Sequence, residues 1–100
     1  MKAKDLKVGD RLKVTRATGE NPGVFGSCEF LLTDPNNFDS YGFLINPHQQ
    51  NPKPANGDSF VITKAWHRSR GIAKLQIEWN DKLWLAHPQD IVWRCELENE

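Results

Sequence analysis

Apolar and polar residues alternate with a period of two along several stretches of this chain, the pattern of strands that bury one face. The clearest stretch begins at residue 72, where Leu75, Ile77 and Trp79 interleave with Lys74, Gln76 and Glu78. Asn80, Asp81 and Lys82 interrupt the run before Leu83, Trp84 and Leu85 resume it, which predicts a hairpin. A loop of Asn80 and Asp81 alone would set Ile77 opposite Trp84 and leave Leu83 and Leu85 on the face of Gln76 and Glu78. A three-residue loop over 80–82 instead pairs Trp79 with Leu83 and Ile77 with Leu85, gathering the aliphatic residues on one face. The second register is the preferred expectation, and it turns Trp84 outward.

The same reading extends to the rest of the chain. A single turn over 4–7 leads through Gly9 and Asp10 into a strand over 11–16, with Leu12 and Val14 inward. Residues 17–23 are dense in turn formers and read as a loop. Residues 24–33 form the longest β-prone run, with Val24, Gly26, Cys28, Phe30 and Leu32 as its core face and Gly26 as a candidate bulge. Pro35 ends that run, and a short strand over 41–45 follows, with Tyr41, Phe43 and Ile45 on one face. Residues 46–57 hold three prolines and form the longest loop. A strand over 59–66 points Phe60 and Ile62 inward and Val61 and Thr63 outward, and a polar, basic connection over 67–71 joins it to the strand from residue 72. Pro88 predicts a single 3₁₀ turn, and residues 92–97 a closing strand with Trp93, Cys95 and Leu97 on one face. The tail 98–100 is expected to fray. Gly9-Asp10 and Gly57-Asp58 each precede two alternating apolar residues and a threonine, a repeat that shared strand-entry chemistry explains better than duplication.

These elements predict a single all-β domain over 1–100, a small barrel or sandwich of six to seven antiparallel strands. The stretch 7–14, with Gly9-Asp10 ahead of Leu12 and Val14, resembles the first strand of SH3-like barrels. His87, Pro88 and Ile91 ahead of Val92 and Cys95 likewise resemble the 3₁₀ turn before their final strand. That resemblance implies an SH3-like fold with a 3₁₀ turn before the last strand.

Composition narrows the function classes. Hydrophobic residues at 38% and aromatic residues at 10% exclude intrinsic disorder. Residues 1–50 carry six charges of each sign and residues 51–100 carry seven of each, so the strongly basic footprint of many nucleic-acid binders is missing from the whole chain. Charges crowd the first seven residues where a signal peptide would be apolar, and no apolar run reaches membrane-spanning length, so the expected location is cytoplasmic with no membrane partner. In that compartment Cys28 and Cys95 are expected to be two buried thiols rather than a disulfide.

Candidate chemistry is sparse. Gly57, Asp58, Ser59 and Phe60 are similar to the nucleophile motif of GDSL-type serine hydrolases, with His87 as the partner the resemblance implies. In that family the serine lies near the start of a three-layer α/β domain, whereas Ser59 lies past the midpoint of a chain with no predicted helix. The expectation is therefore a protein that is not an enzyme. His48, His67 and His87 fall in separate loops and the cysteines are isolated, so no metal site is predicted, and no glycine-rich loop or other cofactor motif occurs. Four tryptophans exceed what so small a core holds, since each brings roughly 200 Å², and Tyr41, Phe38 and Phe25 are further aromatics expected to be partly exposed. The expected function is a non-catalytic interaction module that binds a partner protein, or a second copy of itself. Its candidate contact residues are Trp84, Trp66, Lys64, His67, Arg68 and Arg70, with loop 46–57 alongside. The alternative is single-stranded nucleic acid, with a base stacked on Trp66 and the arginines near phosphates.

Overall fold

The computed structural model describes residues 2–23, 28–69 and 71–98. Its centre is a five-stranded antiparallel sheet. A 3₁₀ turn, Ala3–Asp5, precedes β1 (Arg11–Val14); β2 (Ser59–Arg68), β3 (Gly71–Trp79) and β4 (Lys82–Ala86) form a meander; helix α1 (Pro88–Arg94) leads into β5 (Cys95–Leu97). The strand order is β4-β3-β2-β1-β5, so β4 and β5 end the sheet and it does not close into a barrel. Five strands stand among the described residues where six to seven were expected.

Strand entry follows one rule twice. Gly9 and Gly57 both adopt φ of 97°, a left-handed conformation that suits glycine. The aspartate after each glycine ties back three residues. Asp10 accepts from the Lys7 N–H and donates its own N–H to the Lys7 carbonyl, and Asp58 does the same with Ala55. The two turns then lie across from each other, the Gly9 N–H donating to Ile62 in β2 and the Gly57 N–H to Val14 in β1. Common local chemistry thus accounts for the repeated sequence.

The hairpin between β3 and β4 takes the register the sequence reading did not prefer. Its loop is Asn80-Asp81, both with positive φ (54° and 62°), and Trp79 pairs with Lys82 while Ile77 pairs with Trp84. Two left-handed residues in succession match the right-handed twist of the flanking strands, and Asn and Asp tolerate that conformation better than other side chains with a Cβ. Trp84 consequently faces the core and is only 4% exposed. Burying the indole takes more apolar surface out of water than burying a leucine would. Leu83 and Leu85 move to the outer face, where Leu85 is half-buried.

The inner face of the sheet carries Leu12, Phe60, Ile62, Leu75, Ile77 and Trp84, and Ile91 of α1 and Leu6 cover it. Phe30 and Leu32 complete the core, Phe30 meeting Phe60 edge to face at 5.9 Å. They lie in the run expected to be a strand, but residues 28–33 make only isolated bridges, Glu29 with Thr18 and Thr33 with Leu85. Cys28, expected in the core, is exposed, whereas Cys95 is buried, and both are free thiols. Residues 24–27, with the candidate bulge at Gly26, lie outside the described residues, as do Arg70 and the end of the tail at 99–100.

The stretch 88–94 departs from the expected 3₁₀ turn and strand. His87 caps α1, its Nδ1 accepting from the Gln89 N–H at 3.1 Å, and Pro88 occupies the first turn. One turn later Arg94 reaches back to Asp90 at 3.0 Å. This pair is fully buried, and helical geometry is what lets Arg94 point inward. Its Nη atoms donate to the carbonyls of Arg16, Ala17 and Gly19, and Asp90 also accepts from Asn21 Nδ2 at 2.8 Å. The loop after β1 is thereby clamped to α1. No helix among the described residues is long and apolar enough to cross a membrane.

Candidate functional site

Two β-bulges decide what the outer face of the sheet presents. From Phe60 and Ile62, strict alternation would carry Lys64 and Trp66 inward. The register instead shifts between Ile62 and Lys64, leaving Thr63 as an extra residue, and again between Trp66 and His67. Thr63 holds the first bulge, its hydroxyl donating to the Gln76 carbonyl and accepting from Gln76 Nε2, each at 3.2 Å. Trp66 emerges on the outer face opposite Lys74. The ammonium groups of Lys64 and Lys74 lie 4.8 and 4.5 Å from its ring centre, within cation–π range.

Above this face stands a loop built from its own polar groups. The Asn37 side chain accepts from the Asn46 N–H and donates to the Asn46 carbonyl, both at 2.9 Å, while the Ile45 N–H donates to the Asn37 carbonyl. Asp39 closes the tip, its carboxylate accepting from the Tyr41 and Phe43 N–H groups at 2.9 and 3.0 Å. Gly42, at φ of 85°, makes the turn. With the polar groups turned inward, the apolar side chains are left outside: Tyr41 is 85% exposed, Phe43 71%, Leu44 48% and Ile45 63%. The sequence reading placed a strand here with Tyr41, Phe43 and Ile45 on one face; among the described residues the segment makes one bridge, between Phe38 and Leu44.

The foot of the loop is anchored by Asp34. Its carboxylate accepts from the Asn36 N–H, from Gln49 Nε2 and from the Lys82 ammonium, at 2.9, 2.9 and 3.0 Å. These contacts, the Gln49 bond foremost, hold the carboxyl below its ordinary pKa against the opposing effect of burial. Between loop and sheet lies a cleft of about 430 Å³ lined by Phe38, Gly42, Trp66, Lys74 and Leu85. Past Phe38 and Leu85 it gives way to a second hollow of about 330 Å³ that reaches Ala73 and His87.

Of the residues expected to form a contact surface, Lys64 and Trp66 are brought together here. Trp84 is withdrawn into the core, its ring covered by the Lys82 ammonium at 4.4 Å, which corrects the expectation that it faces outward. His67 and Arg68 are exposed at the hairpin tip but line other hollows, His67 beside Leu6 and Ala65, Arg68 beside Lys4 and Pro88. Loop 46–57 is partly tied down: Gln49 serves Asp34, and Asn51 Nδ2 donates to the Leu32 carbonyl. Lys74 and Leu85 were missed because their roles depend on the bulges and on the hairpin register, whereas Phe38 was among the aromatics expected to be partly exposed. The apolar string from Tyr41 to Ile45 was visible and Tyr41 was expected to be partly exposed, but the exposure of Phe43, Leu44 and Ile45 beside it was not foreseen.

Groups considered for chemistry have other partners. The Ser59 hydroxyl donates to Glu98 at 2.7 Å, and His87 caps α1. Burial pushes the Cys95 thiol up to about 12, with the Asp90 carboxylate acting in the same direction. No cluster of three or more His, Cys, Asp or Glu suited to a metal ion occurs among the described residues. No family model matches the chain, and comparison with curated proteins and with solved structures gave no match either.

Proposed function

We propose that this chain is a non-catalytic interaction module, an SH3-like variant of the small antiparallel β fold, that docks a partner protein through the loop 37–46 and the cleft beneath it. One observation carries the reading: four large apolar side chains in a five-residue span stand in solvent on a loop whose own hydrogen bonds fix their display. Contiguous exposed apolar groups on a well-held loop mark contact surfaces, because water penalises them until something covers them. Fixing the loop beforehand lowers the ordering cost of binding. The SH3-like part of the reading is supported by the β2–β3–β4 meander and by the return of β5 to β1 after a helical turn.

Photo-crosslinking tests it. A benzophenone amino acid at Phe43 is expected to capture a defined protein in cells of the source organism, and the same group at Lys13 on β1 is not. Tyr41→Ser with Leu44→Ser should abolish the crosslink while leaving thermal unfolding within about 0.5 kcal/mol of the parent, as exposed positions allow. Equal crosslinking from both positions would reject the loop as a docking surface. A homodimer seen as the sole crosslinked species would make the partner a second copy.

A second reading, single-stranded nucleic acid, draws on Trp66 between Lys64 and Lys74. Binding of oligo(dT) or oligo(U) that weakens steeply with salt and fails in Trp66→Ala is its signature.

A further inference from the structure

We propose that the docked segment is acidic as well as apolar: an extended peptide that seats an aromatic or aliphatic side chain between Phe38 and Trp66 and lays carboxylates against Lys64 and Lys74. The inference rests on the docking reading above and adds the chemistry of the partner.

Charge placement carries it. The chain is neutral overall, with thirteen charges of each sign, so two lysines converging on one ring reflect placement rather than composition. Neither lysine joins an ion pair among the described residues, where the pairs are Lys53–Glu29, Lys82–Asp34 and Arg94–Asp90. Glu78 shares the outer face of β3 but lies beyond Gln76 and pairs with neither lysine. Two ammonium groups within 5 Å of the same ring centre concentrate positive charge on this part of the outer face. A carboxylate set beside them complements that charge, next to the apolar walls that Phe38 and Leu85 give the cleft.

The apolar half of the site selects between classes of anionic ligand. A single strand of nucleic acid would supply phosphates to the lysines and a base to Trp66, but beyond sugar carbons and the thymine methyl it has little aliphatic surface to cover Leu44, Ile45 and Leu85. A peptide with acidic residues flanking an apolar anchor satisfies both halves at once.

The test is a selection of phage-displayed random twelve-residue peptides on the immobilised full chain. The winning peptide is then measured by fluorescence polarisation against the parent, Lys64→Gln with Lys74→Gln, and Phe38→Ser. Enriched peptides are expected to carry several Asp or Glu around an aromatic, Leu or Ile. The double glutamine variant should bind about tenfold more weakly, and the parent's affinity should fall between low and moderate salt. Circular dichroism of each variant verifies folding. Enrichment of neutral or basic peptides, no enrichment, or an acidic peptide indifferent to the lysine substitutions overturns the proposal. So does displacement of the peptide by equimolar oligo(U), which would assign the lysines to nucleic acid. The crosslink from position 43 separates the two claims: if it survives the lysine substitutions but not those at Tyr41 and Leu44, the loop docks a partner and the acidic preference is wrong.

Discussion

Two loops of this molecule solve the same problem in opposite ways. Residues 15–23 and 34–46 both connect elements without regular strand pairing, and both must satisfy their backbone polar groups. The first does so by drawing charge inside: Arg94 and Asp90, with almost no exposure, bind its carbonyls and Asn21. The second uses Asn37 and Asp39 within itself and leaves Tyr41, Phe43, Leu44 and Ile45 outside. In the first, hydrogen bonding serves the integrity of the fold. In the second, it serves the shape of a surface, and the core gains little from it.

This contrast breaks if the first loop proves dispensable. Arg94→Ala would leave the buried Asp90 carboxylate without its counter-ion, with only the Asn21 hydrogen bond described, and would take the guanidinium donors from three carbonyls; it is expected to cost about 3–5 kcal/mol in urea denaturation. A loss below about 1 kcal/mol would mean that water replaces the guanidinium and that the clamp is not structural.

At the foot of the second loop the expected effect is smaller. Because folding lowers the pKa of Asp34, the charged carboxylate contributes stability that is fully present above its unfolded value. That contribution is lost as pH falls through the folded value, in the acid range below about pH 4. Lys82 is half in solvent, so its pairing adds little, and Asp34→Asn should cost about 1 kcal/mol at pH 7. The difference between variant and parent should shrink towards pH 3. A gap that stayed constant with pH would show that charge has no part in anchoring the loop.

The third effect is one of reactivity. Native protein at pH 8 should take up a single iodoacetamide, at the exposed Cys28, while Cys95 waits for unfolding. Intact-mass spectrometry reads the count. Rapid double labelling of the folded parent would contradict the tight seal beside Arg94, and faster labelling of Cys95 in Arg94→Ala would sharpen the assignment.

Much of the sheet was legible in the residues alone. Leu12 and Val14, Phe60 and Ile62, and Leu75, Ile77 and Trp79 alternate cleanly because each sits on a strand with one wet face. The Gly-Asp entries were legible because their chemistry is local. The fate of the tryptophans was not. Trp84 turned on whether a loop held two residues or three, and the aliphatic count favoured the wrong answer because it gave no weight to the larger ring. Trp66 was named as a contact residue, but the bulge that carries it outward leaves no mark in hydropathy. The apolar run from Tyr41 to Ile45 was read as a strand with Tyr41 partly exposed, and it went no further because alternation records which residues lie together, and not whether the chain itself covers them.

Thr63 has a consequence for how such a surface arises. As the surplus residue in β2, it sets the parity of the rest of the strand, sending Ala65 towards the core and Trp66 to the solvent side. Deleting that one codon would let Lys64 follow Ile62 in plain alternation, so Ala65 and Trp66 would keep their faces; only straightening the strand with Thr63 still in the ladder would exchange them. A lineage carrying this sheet can therefore gain or lose one residue in β2 without turning its recognition surface over, because the bulge absorbs the change in length.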